Sequence, residues 1–323
     1  MANTNDMNFS VRLSPLITHL QCSMHDTYLR SREFDVRDSI ILCTEPRSGG
    51  TWLMETLAYD PLVISNWEPL HPKQADIVPV ELKWGTRPYL REHIKDPIAS
   101  QLMQDILTLK KNSPWTLRYS KSLSKLCRGK KVMTKFVRAS LLLPWLCNTF
   151  EFRYRPLYLL RHPLPTVLSQ ASNFYSQNEN SNTFQLPDSI NNDIYGVHFS
   201  YLQSLESTIE QLLALWCIHN KTVIEQSDNE RRWRLVFYEN LVTNPEAEFS
   251  EICQQLGLEI ELNTVDFKRA SSTDFQGAFQ QDSDNQLSKW RSHLSDETLF
   301  KLQSILDYFG VHIYSVNSDY PVF

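Results

Sequence analysis

The sequence predicts an α/β protein, a parallel β-sheet flanked by helices, and three observations carry that expectation. Five short apolar runs end abruptly in polar or proline-containing turns, segments with helical spacing lie between and after them, and the two kinds alternate along the chain. Short continuous apolar runs suit strands buried on both faces, and strand–helix alternation builds a parallel sheet with helices packed against it.

In chain order the expected strands are residues 39–43 (SIILC), 62–65 (LVIS), 132–137 (VMTKFV), 157–160 (LYLL) and 235–238 (LVFY). Helical spacing runs over residues 202–226, over 245–256 with Gly257 as a stop, and over 295–309 with Gly310 beyond it. Ser295 supplies an N-cap for the last of these, and Asp296 and Glu297 favour its first turn. Residues 172–196 break the rhythm. They are crowded with Asn, Ser and Gln around Pro187 and read as a long polar loop, either a lid or plain disorder. Nothing divides the remainder, so residues 1–323 are read as one α/β domain, with residues 1–37 as an N-terminal extension.

Composition narrows the function classes. The chain has 323 residues, 41% hydrophobic and 21% charged, and its net charge of −5 argues against broad nucleic-acid or anionic-membrane binding. No stretch reaches the roughly 18 apolar residues of a membrane helix, and the polar start of the chain has no secretory pattern. Six scattered cysteines without a CxxC pair suit buried free thiols in a reducing compartment, and the expected location is cytoplasmic. Nine histidines form no HxxxH or Cys/His cluster, so no metal is expected.

The most informative stretch follows the first strand: Thr44-Glu45-Pro46-Arg47-Ser48-Gly49-Gly50-Thr51-Trp52, leading into a helix whose Leu53, Met54 and Leu57 face inward. A strand, a small-residue turn and a helix N-terminus together aim backbone N–H groups and a helix dipole at an anion. Ser48 and Thr51 add hydroxyl donors, and Arg47 adds a planar charged fork. The ATPase pattern GxxxxGK[ST] is not met. With Thr51 aligned as its last residue, Thr44 stands for the first Gly and Gly50 for the Lys. A dinucleotide fingerprint is absent, and the four-residue step from Cys43 to Arg47 is too short for a thiol phosphatase loop.

These residues resemble the sulfotransferases that use 3′-phosphoadenosine 5′-phosphosulfate (PAPS), whose 5′-phosphosulfate loop reads P-[KR]-[ST]-G-[GST]-[ST]-[WL]. Pro46 to Trp52 is similar to it. In that family the 3′-phosphate is bound by an Arg after a later strand and by a Ser eight residues on. Arg161 and Ser169 keep that spacing, although His162 stands where family members carry Asp or Asn. Tyr238-Glu239-Asn240-Leu241 resembles the family's nucleotide-side tyrosine segment, Lys289-Trp290 its KW segment, and Ser271-Ser272 its adenine-side small residues. The basic Arg-Lys-Gly loop of the cytosolic branch is missing. Ser283-Asp284-Asn285 stands there, with Lys289 or Arg291 as replacements.

The resemblance implies a P-loop-like sulfotransferase fold, PAPS as co-substrate and no metal. It assigns Arg47, Ser48, Gly49, Gly50, Thr51, Trp52, Arg161, Ser169, Tyr238 and Lys289 to nucleotide binding. Arg47 would also stabilise the leaving phosphate. For the base, Glu68-Pro69 resembles an element of carbohydrate and bacterial sulfotransferases, and His71 lies close by. Glu68 is preferred, because desolvation can raise a carboxylate's pKa towards neutrality. The acceptor is expected to be a small molecule, a carbohydrate or a lipid, with Trp67, Trp84, Tyr89, Trp115 and Phe174 as candidate pocket aromatics. A phosphate-loop nucleotide kinase and a catalytically silent nucleotide-binding protein are the competing readings.

Overall fold

Five parallel strands form one sheet in the order β2-β3-β1-β4-β5. They are β1 (Ile40–Thr44), β2 (Val63–Trp67), β3 (Lys131–Phe136), β4 (Leu157–Leu160) and β5 (Arg234–Phe237). The computed structural model describes residues 27–120, 122–175, 193–226, 232–274 and 282–322. Every strand predicted from the sequence is present within two residues of its expected ends. The registers, such as Leu42 opposite Lys135 and Leu157, are parallel throughout.

Both faces of the sheet are covered, which is why the strands read as unbroken apolar runs. Alternation along each strand sorts the side chains. Ile40, Leu42, Met133, Leu157, Leu159 and Val236 pack with α1 (Gly50–Leu57) and α9 (Pro245–Leu256), next to the short α8 (Tyr238–Thr243). Ile41, Cys43, Phe136, Tyr158, Leu160 and Phe237 pack on the other face. There they meet α2 (Pro97–Leu107), α4 (Leu143–Thr149), α5 (Pro163–Phe174), α7 (Thr208–Glu225) and α11 (Asp296–Tyr308). The short helices α3 (Leu123–Arg128), α6 (Phe199–Ser204) and α10 (Ser283–Ser288) complete the set used here.

Two helix ends follow their sequence signals closely. Gly257 closes α9 in the left-handed conformation at φ 57°, and Ser295 caps α11 by accepting from the Thr298 N–H. The single helix expected over residues 202–226 is instead two. Ser207 accepts from the Glu210 N–H while Glu210 reaches back to the Ser207 N–H, and this capping box starts a fresh helix after α6.

Two further expectations need adjustment. The polar loop begins only after α5 ends at Phe174, and its stretch 176–192, with the lid expectation, lies outside the described residues, as do residues 1–26 of the extension. Cys43, Cys217 and Cys253 are buried thiols, but Cys127 is exposed and Cys147 is half-buried. No helix among the described residues is long and apolar enough to cross a membrane.

In an open parallel sheet a crevice forms at the carboxyl ends of the strands where the chain direction of travel reverses. Here the chain leaves β1 first towards β2 and β3 on one side, then returns to β4 and β5 on the other. The cleft of about 1430 Å³ lies at that switch, and its walls include Thr44, Trp67, Lys135, Arg161 and Tyr238 from the five strand ends.

Candidate active site

The turn after β1 is held from below. The Glu45 carbonyl accepts from the Ser48 N–H at 3.3 Å, and Gly49 caps α1 at φ 90° with no side-chain hydrogen bond. Gly49 has no alternative. A Cβ there would lie 2.6 Å from the Tyr238 ring, and one on Gly50 would lie 2.5 Å from Thr44 Cγ2. The glycines thus let the turn press against β1 and Tyr238, leaving the first N–H groups of α1 pointed at the cleft with no acid in the first turn. Ser48 Oγ is buried without a hydrogen-bond partner, and Ser48 is not among the residues that line the cleft.

Lys135 is the residue that sequence reasoning missed. It lies inside β3 and is 2% exposed. Its Nζ donates to Thr51 Oγ1 at 3.2 Å and to Glu68 Oε1 at 2.9 Å, and sits 3.6 Å from the centre of the Trp67 ring. A neighbouring strand therefore supplies the cation that the turn lacks at Gly50. Burial pushes its pKa down, with Glu68 opposing. A fully buried lysine is rare unless paired, and the only sequence trace of this one is a single charge within residues 132–137.

Glu68 leaves β2 at φ 38°, a left-handed conformation that few non-glycine residues adopt. Its carboxylate faces the cleft between Lys135 and Arg138 Nη1, the latter 3.5 Å from Oε2. Two cations thus flank it. His71 stands nearby against Trp115, with ring centres 5.1 Å apart. The Lys73 and Gln74 N–H groups donate to its Nδ1 at 3.3 and 3.2 Å, so the neutral ring carries its proton on Nε2. Burial and then Arg138 lower its pKa, favouring that neutral form.

At the other end of the cleft the second anion motif is assembled around Arg161. Its guanidinium stacks 4.2 Å over the Tyr238 ring, and Nη1 donates to the Arg47 carbonyl at 3.1 Å. Tyr238 accepts on its hydroxyl from Gln286 Nε2 at 2.8 Å, and Gln286 Oε1 accepts from Lys289 Nζ at 2.9 Å. Arg47 lies in the left-handed region at φ 69°. Its Nε donates to Ser169 Oγ at 2.9 Å, and Nη1 reaches the Thr273 carbonyl at 3.5 Å. Burial followed by repulsion from Arg161 lowers the pKa of both Arg47 and Lys289. Cations held together against both penalties mark a place for an anion.

Several expectations at this end change in detail. Ser169 is the seventh residue of α5, nearly two turns in. His162 takes the place of Asp or Asn as a helix cap. Its Nδ1 accepts from the Leu164 N–H, its Nε2 lies 3.1 Å from the Ser315 carbonyl, and the ring stacks on Trp290 at 5.1 Å. Glu239 accepts from the His162 N–H at 2.8 Å and the Tyr314 hydroxyl at 2.9 Å. Arg291 is engaged with Asp319 and the Val316 carbonyl, while Lys289 lines the cleft. Ser271 lines it too, whereas Ser272 Oγ is bonded to the Tyr119 hydroxyl. Of the proposed pocket aromatics, Trp67, Trp115 and Phe174 line the cleft, while Trp84 and Tyr89 pack against the core.

A second buried network supports the turn. Arg87 donates two hydrogen bonds to the Glu45 carboxylate, at 2.6 and 2.5 Å, with Ser140 Oγ and His219 Nδ1 beside it. Among the described residues no cluster of His, Cys, Asp and Glu is arranged to hold a metal ion.

A sequence model of the sulfotransferase family matches residues 39–262, more than two-thirds of the chain. The protein belongs to the sulfotransferase family. A comparison with curated protein sequences gives no match. Similar solved structures include the sulfotransferase domain from the curacin biosynthetic pathway, at 17% identity and TM-score 0.45, covering 84% of this chain and 97% of that one. Mouse sulfotransferase SULT7A1 complexed with PAP has 12% identity and TM-score 0.45, covering 89% of each chain. Retinol dehydratase in a complex with retinol and PAP has 14% identity and TM-score 0.40, covering 84% and 81%.

Proposed function

We propose that the protein transfers a sulfuryl group from PAPS to a hydroxyl or amine of a small-molecule, carbohydrate or lipid acceptor. The observation that carries this reading is the juxtaposition of a glycine turn at a helix N-terminus with Lys135 and Glu68, at one end of a cleft whose other end gathers Arg161, Ser169 and Lys289. Two anion sites in one cleft suit a nucleotide with phosphate at both its 5′ and 3′ positions. Ser48, Gly49, Gly50 and Thr51 take the 5′ side with Lys135. Trp52 and Tyr238 flank the nucleoside.

In this reading the acceptor oxygen forms a bond to sulfur as the bond between sulfur and the 5′-phosphate oxygen breaks. The acceptor's proton passes to the Glu68 carboxylate, and the bonding pair goes to the departing phosphate oxygen. The N–H groups of α1, Thr51 Oγ1 and Lys135 Nζ stabilise the charge developing there. Lys135 bridges the two halves of the event, since it touches both the hydroxyl of the turn and the base. His71 with its proton on Nε2 is a donor that orients the acceptor and not the group that takes its proton.

Glu68→Gln tests the assignment. The amide keeps the shape but cannot accept the proton, so turnover should fall by about 10²–10⁴-fold while affinity for adenosine 3′,5′-bisphosphate (PAP) persists. Retained transfer by this variant removes Glu68 from the role. A nucleotide kinase would instead be stabilised by ATP with Mg²⁺ more than by PAP, and a silent binder would take up PAP without sulfating any acceptor.

A further inference from the structure

Arg118 lines the same cleft from a different wall, and neither phosphate site uses it. The segment that carries it runs beside β2, where the Thr116 carbonyl accepts from the Trp67 N–H at 2.6 Å and Ser120 Oγ accepts from the Ser65 N–H at 2.8 Å. These bonds occupy the free edge of β2 and bring Arg118 to the Trp67 ring, next to Glu68. We infer that Arg118 reads an acidic group on the acceptor, so that the hydroxyl compound sulfated here also carries a carboxylate or a phosphate. The inference rests on the sulfuryl-transfer reading above and deepens it by naming the acceptor's charge.

Three observations carry it. First, the guanidinium is held by rings. Its Cζ lies 4.8 Å from the centre of Trp115, 5.5 Å from Tyr119 and 6.0 Å from Trp67, and among the described residues its side chain has no ion-pair or hydrogen-bond partner. Stacking engages the flat faces of a guanidinium and leaves its in-plane N–H fork, the part that matches a carboxylate or phosphate, unspent.

Second, the neighbouring charges are already matched. Glu68 sits between Lys135 and Arg138, Glu45 is paired with Arg87, and Glu55 is met by Arg269 at 3.6 Å and by the Ser272 N–H at 3.3 Å. During transfer Lys135 is committed to the departing phosphate and Arg138 to Glu68. Arg118 is left over from this division.

Third, the placement suits a substrate. Lys135 Nζ and Arg118 both approach the Trp67 ring, the former 3.6 Å from its centre. An acceptor with its hydroxyl at Glu68 therefore has Arg118 within a small molecule's length. Trp115 and His71, packed edge to face in the cleft lining, offer apolar surface to the body of such a molecule.

Matched compounds test this in the enzyme saturated with PAP. On a phenol, para-hydroxyphenylacetate is compared with para-hydroxyphenylacetamide; on a sugar, glucuronate and glucose 6-phosphate are compared with glucose, which also separates carboxylate from phosphate. By titration calorimetry at least one acid should bind about 5- to 10-fold more tightly than its neutral counterpart, the range for one charge-assisted contact at an exposed side chain. That preference should shrink as salt is raised towards roughly 1 M. Arg118→Gln should abolish it and leave the affinity for the neutral compounds unchanged, while Arg118→Lys should keep part of it. If Arg118→Gln weakens acids and neutral compounds alike, Arg118 only supports the rings around it and the inference is wrong. An acid preference that survives Arg118→Gln overturns it too, as does a wild type that binds acids and neutral compounds equally or binds none of them. A wild type that fails to bind PAP overturns the sulfotransferase reading itself, an outcome distinct from these.

Discussion

Gly49 concentrates the local constraints of the site in one residue. Its φ of 90° excludes most side chains, and the Tyr238 ring occupies the position of any Cβ. Gly49→Ala should lower stability by about 2–4 kcal/mol, the sum of left-handed strain and overpacking. A thermal unfolding scan at neutral pH checks this, and an unchanged midpoint would mean that the Tyr238 ring moves aside freely. The glycines, Thr51, Arg161 and Ser169 were legible because a turn of small residues and a fixed Arg-to-Ser spacing are local patterns. Lys135 was not legible, since its role depends on Leu42 and Trp67 standing opposite it in two neighbouring strands. The direction of the Arg47 side chain was equally hidden, because Ser169 lies 122 residues away.

At the level of elements, all five strands were legible because burial on both faces forces apolar composition, and that shows directly in the chain. The break between α6 and α7 was also encoded, in the capping pair of Ser207 and Glu210, but the apolar spacing runs through it and masks the stop. What no local pattern contains is the tie between elements. Glu45 at the end of β1 is fully buried against Arg87, which comes from a segment without regular structure. Arg87→Met should cost about 3–5 kcal/mol, because it leaves a carboxylate buried without its guanidinium partner. Combining it with Glu45→Gln should recover part of that loss. Denaturant titration of the three variants provides the test, and equal stability of the single and double variants would show that the pair is not coupled.

Across the whole molecule, buried histidines set the response to acid. Burial holds His162 at about 4 and His219 at about 4, well below the range of an exposed imidazole. The unfolded chain takes up these protons near pH 6.5 while the native state does not. Stability is therefore complete above that value and falls as pH drops from 6.5 towards 4. Burial works against the Glu45 carboxylate, but Arg87 and His219 outweigh it and bring it to about 2, so a further loss follows below the normal carboxylate range. The melting temperature should be level from pH 8 to 7 and decline steadily below 6.5. His162→Asn can keep the cap on α5 without a titrating ring, so its decline should be shallower even though loss of the Trp290 stack lowers its midpoint at neutral pH. An equally steep decline in that variant would remove His162 from the explanation.

The residues around Tyr314 have an unexpected task. Tyr314 donates to Glu239, the Ser315 carbonyl faces His162, and the Val316 carbonyl receives Arg291, so this short segment braces the floor on which Arg161 and the first turn of α5 stand. It is masonry beneath the cleft. Loosening any of these three ties disturbs the cleft from underneath, at a distance from every group that lines it.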